Sequence, residues 1–184
     1  TKWGALGDNK TAVIEMAKIS GLALMDRNKL KPYTYTTYGM GEVIKECLNY
    51  GFNNFIIGIG GSATNDGGLG MAEALGAILK DKNNKPIKRG IIGLGSLNTI
   101  DLKNIDKRIR NSSFQIACDV NNPLYGPNGA TYIFGPQKGF NSEEIELIDS
   151  YMKNYGNLID SISKKEISKH PGSGAAGGIG AAAM

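Results

Sequence analysis

The stretch that most constrains this chain is residues 55–79. It opens with Phe55 to Ile59, a short apolar run rich in β-branched residues, which predicts a buried strand. Six glycines follow between Gly58 and Gly70, with Ser62, Thr64, Asn65 and Asp66 among them. Then Leu69, Met71, Ala72, Ala74, Leu75 and Ile78 recur at helical spacing and predict a helix to about Leu79. The order is strand, glycine-rich loop, helix. Glycine lets a backbone turn sharply and approach a ligand closely. The free N–H groups at a helix start suit an anion. Asp66 is the single carboxylate inside this loop, and it either caps the helix or takes part in chemistry.

Two nucleotide-binding motifs can be tested against this stretch. A P-loop requires Gly-x-x-x-x-Gly-Lys-Ser/Thr, and the chain has no Gly-Lys pair, so that motif is absent. Gly58-x-Gly60-x-x-Ala63 fits the dinucleotide fingerprint, with Asp81 at the distance of the ribose-binding acid. That fingerprint needs a helix at once, whereas Asn65-Asp66-Gly67-Gly68 delays it, and Asp81 follows a helix end. A dinucleotide-binding oxidoreductase domain stays as the alternative enzyme class.

The chain is 184 residues long, about one domain's worth and enough for a real core. Its net charge of +4 comes from dispersed lysines, as at Lys80 to Lys88 and Lys164 to Lys169. No basic block interleaves with aromatics, which argues against nucleic acid as a partner. Two cysteines and one histidine are too few for a zinc site. Cys47 and Cys118 stand in apolar contexts and read as core residues of a protein in a reducing, cytoplasmic compartment. No apolar run approaches the length of a membrane span, so no membrane partner is expected. The chain starts without Met and ends on Ala-Ala-Ala-Met, and it is expected to be a fragment of a longer enzyme.

Before the glycine loop, Asp8 or Thr11 can cap a helix over residues 8–25, with Ala12, Val13, Met16, Ala17 and Leu24 apolar. Glu15 lies within that face, at its edge or turned to a ligand. Residues 31–39 are a hydroxyl-rich loop or edge strand. Thr37 can cap a helix from Gly41 to Tyr50, which Gly51 would stop. After the loop, residues 80–85 form a charged turn, 87–97 a short strand or two, and 97–106 an irregular segment. Phe114 to Cys118 reads as a second buried strand, ending in Asp119-Val-Asn-Asn. Those oxygens, Asp119 and Asn121 among them, can bind a metal or build Asx turns. Lys138, between Gln137 and Gly139, stands where a backbone can approach an anion. Ser142 with Glu143 to Glu146 starts an amphipathic helix to about Ile162. The chain closes on Pro171-Gly-Ser-Gly-Ala-Ala-Gly-Gly178, a second glycine-rich helix entrance. It either binds an anion through glycines such as Gly174 and Gly177 or lets two backbones pack. His170 beside it reads as a surface residue.

Three blocks carry a family resemblance. Ile59-Gly-Gly-Ser-Ala-Thr-Asn-Asp-Gly-Gly68, Cys118-Asp-Val-Asn-Asn-Pro-Leu-Tyr-Gly126 with Phe134-Gly-Pro-Gln-Lys-Gly139, and Pro171-Gly-Ser-Gly-Ala-Ala-Gly-Gly178 resemble the bacterial glycerate kinases. Thr11-Ala-Val-Ile-Glu-Met-Ala17 is similar to that family too. The resemblance implies an α/β fold, a mixed sheet with flanking helices. It implies the inner lobe of a two-lobed enzyme, inserted into a Rossmann-like or flavodoxin-like outer lobe, with the active site in the cleft between them. It implies transfer of the γ-phosphoryl of ATP, with Mg²⁺, to D-glycerate, giving mainly 2-phosphoglycerate. A lobe that binds ligands without catalysis is the non-enzymatic rival.

Phosphoryl transfer needs positioning and charge neutralisation more than covalent help from the protein. The expected site follows from the blocks. Gly60, Gly61, Ser62, Thr64, Asn65, Gly67 and Gly68 would hold glycerate carboxylate or phosphate, joined by Glu15, Asn121, Gly174 and Gly177. Asp66, expected to be exposed to the cleft, or Asp119 would accept the hydroxyl proton or bind Mg²⁺. Lys138 would offset charge on the transferred group. The 184-residue chain alone is expected to fold without phosphorylating glycerate, because one wall of the cleft is absent from it.

Overall fold

In the computed structural model, which describes residues 1–26 and 28–184, the strands in chain order are β1 (Gly4–Ala5), β2 (Thr11–Glu15), β3 (Asn54–Gly58), β4 (Ile78–Lys80), β5 (Thr99–Asp101) and β6 (Ser113–Ala117). The helices are α1 (Ala17–Ser20), α2 (Tyr38–Asn49), α3 (Leu69–Ala74), α4 (Ile91–Leu94), α5 (Ala130–Lys138), α6 (Ile145–Ser163) and α7 (Ala175–Ala182). The main sheet has the order β1-β2-β3-β6, and β4 with β5 forms a separate antiparallel pair. β2, β3 and β6 run parallel, while β1 is antiparallel to β2, so the expected mixed α/β sheet is what forms. Glu15, Gly58 and Ala117 lie in register at the ends of the three parallel strands. The segments that leave those ends therefore emerge side by side.

Burial explains the frame. Ala12, Ile14, Phe55 and Ile57 are buried in β2 and β3, and the Phe55 and Phe114 rings stack at 4.8 Å. Burying one such side chain contributes about 1.5–3 kcal/mol. α2 lays Met40, Ile44, Cys47 and Leu48 on this core and ends at Gly51, whose φ is +89°. A second core lies under α4, α5 and α6, where Leu94, Leu124, Ile148, Met152 and Tyr155 meet. α6 is the amphipathic helix expected near residues 143–162.

Several local expectations are overturned. The predicted helix over residues 8–25 is instead strand β2 followed by the short α1. Ala12-Val13-Ile14 is a continuous apolar run, as a strand covered on both faces requires, and it satisfies helical spacing only by coincidence. Asp8 caps a turn before that strand, accepting from Lys10 N, Thr11 N and Thr11 Oγ1. The helix after the glycine loop stops at Ala74, because Gly76 at φ +110° turns the chain against Asn104, and Ile78 belongs to β4. Residues 87–97 hold the helical turn α4 in place of strands, and residues 97–106 hold β5. Ser113–Ala117 is a strand, but it forms the edge of the sheet with alternating half-buried and exposed residues, so it is not a buried strand. Cys118, read as core, is exposed at its end, whereas Cys47 is buried.

Candidate active site

A pocket of about 270 Å³ opens beyond the carboxyl ends of β3 and β6. Ile59 to Ser62 line it on one side, Cys118, Asp119 and Val120 on another, and Phe134, Gln137 and Lys138 of α5 close it, with Ala175 and Ala176 below. Parallel strands place their ligands at this edge because their connecting loops converge there. α1 and its exit strap the loop in place: Leu22 N donates to Gly61 O, and Ala63 N donates to Ser20 O, each at 2.9 Å.

The glycine loop divides in two. Gly60 and Gly61 are exposed at the pocket, and Ser62 is buried along its wall. From Ala63 to Gly70 the chain is buried. Thr64 and Asn65, expected to touch ligand, lie fully inside. Asn65 Nδ2 donates to Thr131 Oγ1 at 3.0 Å, while Thr64 Oγ1 and Asn65 Oδ1 have no partner among the described residues. Gly67 and Gly68, at φ +65° and +74°, are also removed from the pocket, pressed on the Tyr155 ring and on Ala182.

The expectation that Asp66 faces the cleft is corrected: it is 1% exposed. Its Oδ2 accepts from Thr37 N at 2.8 Å, Thr37 Oγ1 at 3.0 Å, Thr36 Oγ1 at 3.1 Å and Gly70 N at 3.3 Å, and its Oδ1 from Gly68 N at 3.2 Å. One carboxylate thus joins the starts of α2 and α3. Thr37 precedes α2 as expected, but its hydroxyl serves this knot, accepting from Met71 N at 2.9 Å. Burial pushes the Asp66 carboxyl upward, and its hydrogen bonds oppose that shift.

Lys138 is also 1% exposed, yet it lines the pocket. Its Nζ donates to Thr64 O at 2.6 Å. Burial pushes the amine down to about 7, against the attraction of Asp66. Left-handed Gly139, at φ +103°, ends α5 behind it. Asp119 is the exposed carboxylate of the pocket. Glu15 ends β2 on the same edge of the sheet but is exposed and pairs with Lys18 at 3.0 Å. Asn121 is exposed and outside the pocket lining.

In the second glycine block, Gly174 and Gly177, expected either to bind an anion or to let two backbones pack, are packed closely against backbone. A Cβ on Gly174 would strike the Pro123 carbonyl, and one on Gly177 would strike Thr64 O. Gly67 N donates to Gly177 O at 2.9 Å, so the two blocks pack backbone to backbone. Asp81 lies beyond β4, outside the main sheet, and accepts from Asn83 N and Lys85 N at 2.9 Å. That removes it as a ribose ligand and with it the dinucleotide fingerprint. No group of three His, Cys, Asp or Glu able to hold a metal occurs among the described residues. Asp119 alone fits Mg²⁺ only in the mode where phosphate oxygens and water complete the shell.

Residue reading missed part of this site. Gln137, Phe134, Val120 and Ala176 carried no chemical signal of their own. Thr36 was visible in a hydroxyl-rich run before a helix, but nothing local tied it to Asp66.

Fold and pocket define an α/β protein with an open pocket where its parallel strands end. The profile described as "Glycerate kinase family" matches residues 1–184, and the chain belongs to that family. It is 49% identical over 182 residues to the "Glycerate 2-kinase" of Escherichia coli (strain K12), covering 99% of this chain and 48% of that protein. It is 45% identical to the "Glycerate kinase" of Bacillus subtilis (strain 168), covering 97% and 47% respectively. A crystal structure from Salmonella typhimurium LT2, provisionally designated glycerate kinase 2, superposes with a TM-score of 0.95 at 46% identity, over 98% of this chain and 49% of that one. The chain spans about half the length of the curated relatives it matches.

Proposed function

We propose that this chain is one lobe of an ATP-dependent glycerate kinase. It transfers the γ-phosphoryl of ATP to D-glycerate, giving 2-phosphoglycerate and ADP, in a cleft between this lobe and the rest of the enzyme. The observation that carries the reading is Lys138, a buried amine on the wall of a pocket shared with Gly60, Gly61, Ser62 and Asp119. A transferring phosphoryl group spreads negative charge over its oxygens, and a fixed cation in a low-dielectric wall stabilises that charge. Gly60 and Gly61 let the backbone come close to the phosphate. Asp119 is placed to hold Mg²⁺, which would neutralise phosphate charge, or to orient the glycerate hydroxyl. Asp66, enclosed by donors, is poorly placed for either task. Such an enzyme works in the cytoplasm, where ATP is present and Cys47 and Cys118 stay reduced. Among the described residues no helix is long and apolar enough to cross a membrane.

The test uses the complete protein with D-glycerate and Mg·ATP. ADP release is coupled to a spectroscopic readout, and phosphorus NMR of the product distinguishes 2- from 3-phosphoglycerate. Turnover in the ordinary range of about 1–1000 per second is expected. The 184-residue chain assayed alone should show none. An inactive complete protein that still binds glycerate and ATP by calorimetry would favour the non-catalytic lobe.

A further inference from the structure

We propose that the bare face of the main sheet, with Val13, Ile56 and Gln115 at its centre, is the surface on which the rest of the complete protein docks. It rests on the reading of this chain as one lobe of a longer protein, and not on the reaction that protein performs.

Strand register sorts the side chains of the sheet into two faces, because successive residues point to opposite sides. Phe55 pairs with Ala12 and Phe114, and Ile57 pairs with Ile14 and Ile116. These six form the covered face, where α2, α3 and α7 bring Ile44, Met71 and Ile179 onto the core. Ile56 pairs with Val13 and Gln115, and Asn54 pairs with Thr11 and Ser113, so these six share the opposite face. Gly4 lies opposite Val13 and extends that face into β1, and Leu6 follows beside Thr11.

Among the described residues no helix lays apolar side chains on this second face. Val13 and Ile56 are half-buried and belong to neither hydrophobic core. Leu6 is 45% exposed, and Ser113 and Gln115 are exposed. A hollow of about 300 Å³ opens between Leu6, Thr11, Asn54, Ile56, Ser113 and Gln115.

β2, β3 and β6 are parallel, and parallel strands occur almost only with both faces covered. The residues fit that rule, since Ala12-Val13-Ile14 and Phe55-Ile56-Ile57 are apolar without a break. No described element of this chain supplies the second cover. Its relatives hold about as much chain again, because it spans 48% of one and 49% of the solved structure. The chemistry of the face favours that other half over a second copy. Val13, Ile56 and Leu6 stand among Thr11, Asn54, Ser113 and Gln115, the polar mixture of an interface between domains of one chain. A dimer interface is more apolar. The face also runs into the pocket, because Ala117, next on this face after Gln115, lines it. One body can therefore cover the sheet and stand over the pocket.

The experiment measures labelling by iodoacetamide in the complete protein. Cys118→Ser is the background, because Cys118 is exposed and Cys47 is buried. Gln115→Cys reports the face. Leu147→Cys, on α6 where Leu147 is 56% exposed, is the control. Each rate is divided by its rate in urea. The thiol at position 115 should be slowed at least about tenfold and the one at 147 less than about threefold. Equal slowing overturns the proposal. Protection at 115 that fades on dilution, as light scattering reports a monomer forming, gives the face to a second copy and overturns it too. The unsubstituted protein offers the same comparison without a variant. Hydroxyl-radical oxidation should spare Leu6 relative to Leu147, and equal oxidation counts against the docking. ADP release by the unsubstituted protein is a separate readout. An active protein open at 115 overturns the docking alone. An inactive one protected at 115 supports the docking and counts against the proposed function.

Discussion

The two glycine-rich segments of this protein meet face to face and use the same residue for opposite purposes. At Gly60 a Cβ would meet nothing within 4 Å, and the backbone lies open to the pocket. At Gly178 a Cβ would sit 2.7 Å from Gly67 Cα, and at Gly174, Gly177 and Gly180 it would strike a backbone carbonyl. Residues 176–178 all have left-handed φ, which kinks α7 where it meets the glycine loop. Openness at Gly60 leaves the backbone accessible from the pocket. Close contact at the other block holds the glycine loop in place. Glycine count alone cannot separate the two, because the missing Cβ is either an invitation to a ligand or a requirement of a neighbouring chain.

The strongest way to break this comparison is Gly177→Ala. It combines a φ of +72° with a clash on the Thr64 carbonyl. It should cost at least about 3 kcal/mol, from left-handed strain and overpacking together. Urea denaturation measures it, and a loss under about 1 kcal/mol would mean that the two backbones can part.

Lys138→Met probes the open side. In the complete enzyme it should lower turnover at least about a hundredfold, or roughly 2.7 kcal/mol of barrier. Stability should respond with a definite sign. The folded amine is pushed below its ordinary value of 10.5 to about 7, so the unfolded chain binds more protons between these limits. The stability penalty is complete below about 7 and is relieved as pH rises toward 10.5. Lys138→Met lacks that titration. Its stability advantage over the wild type should therefore be greatest at low pH and shrink through this window in denaturant melts. An advantage that grows with pH would contradict the burial argument.

Gly60→Ala sharpens the contrast, since it meets open space and has no left-handed φ. It should change stability by no more than about 0.5 kcal/mol. Pyrophosphate affinity should fall by about 1 kcal/mol, the scale of one lost hydrogen bond. Equal losses in stability and binding would erase the distinction. The smallest effect is expected from Ala176→Gly. Ala176 lines the pocket at φ +52°, an outlier for a residue with a Cβ. Relieving that strain should stabilise the chain by about 1 kcal/mol or less, because glycine also loses more entropy on folding. A melt showing destabilisation would mean that the Ala176 methyl contributes packing that outweighs the strain.

The features legible in the residues themselves were local or short in range. Phe55 to Ile59 predicted β3 because β-branched residues suit a pleated, covered strand. Gly51 predicted the end of α2, and Glu143 to Ile162 predicted α6 from its periodicity. The three family blocks pointed to the right family because residue order survives without any geometry. Ala12-Val13-Ile14 misled because a covered parallel strand and a helix face look alike over so few residues. The tertiary structure alone decided the fate of each polar and glycine residue in the loop. Asp66 became buried because Thr36 and Thr37, 30 and 29 residues earlier, deliver their donors to it. Gly67 and Gly177 became partners across the sequence, and Lys138 reached Thr64 over 74 residues. Whether a carboxylate meets solvent or donors, and whether a missing Cβ meets a ligand or a backbone, depends on segments brought together only by folding. A residue's neighbours along the chain carry no record of them.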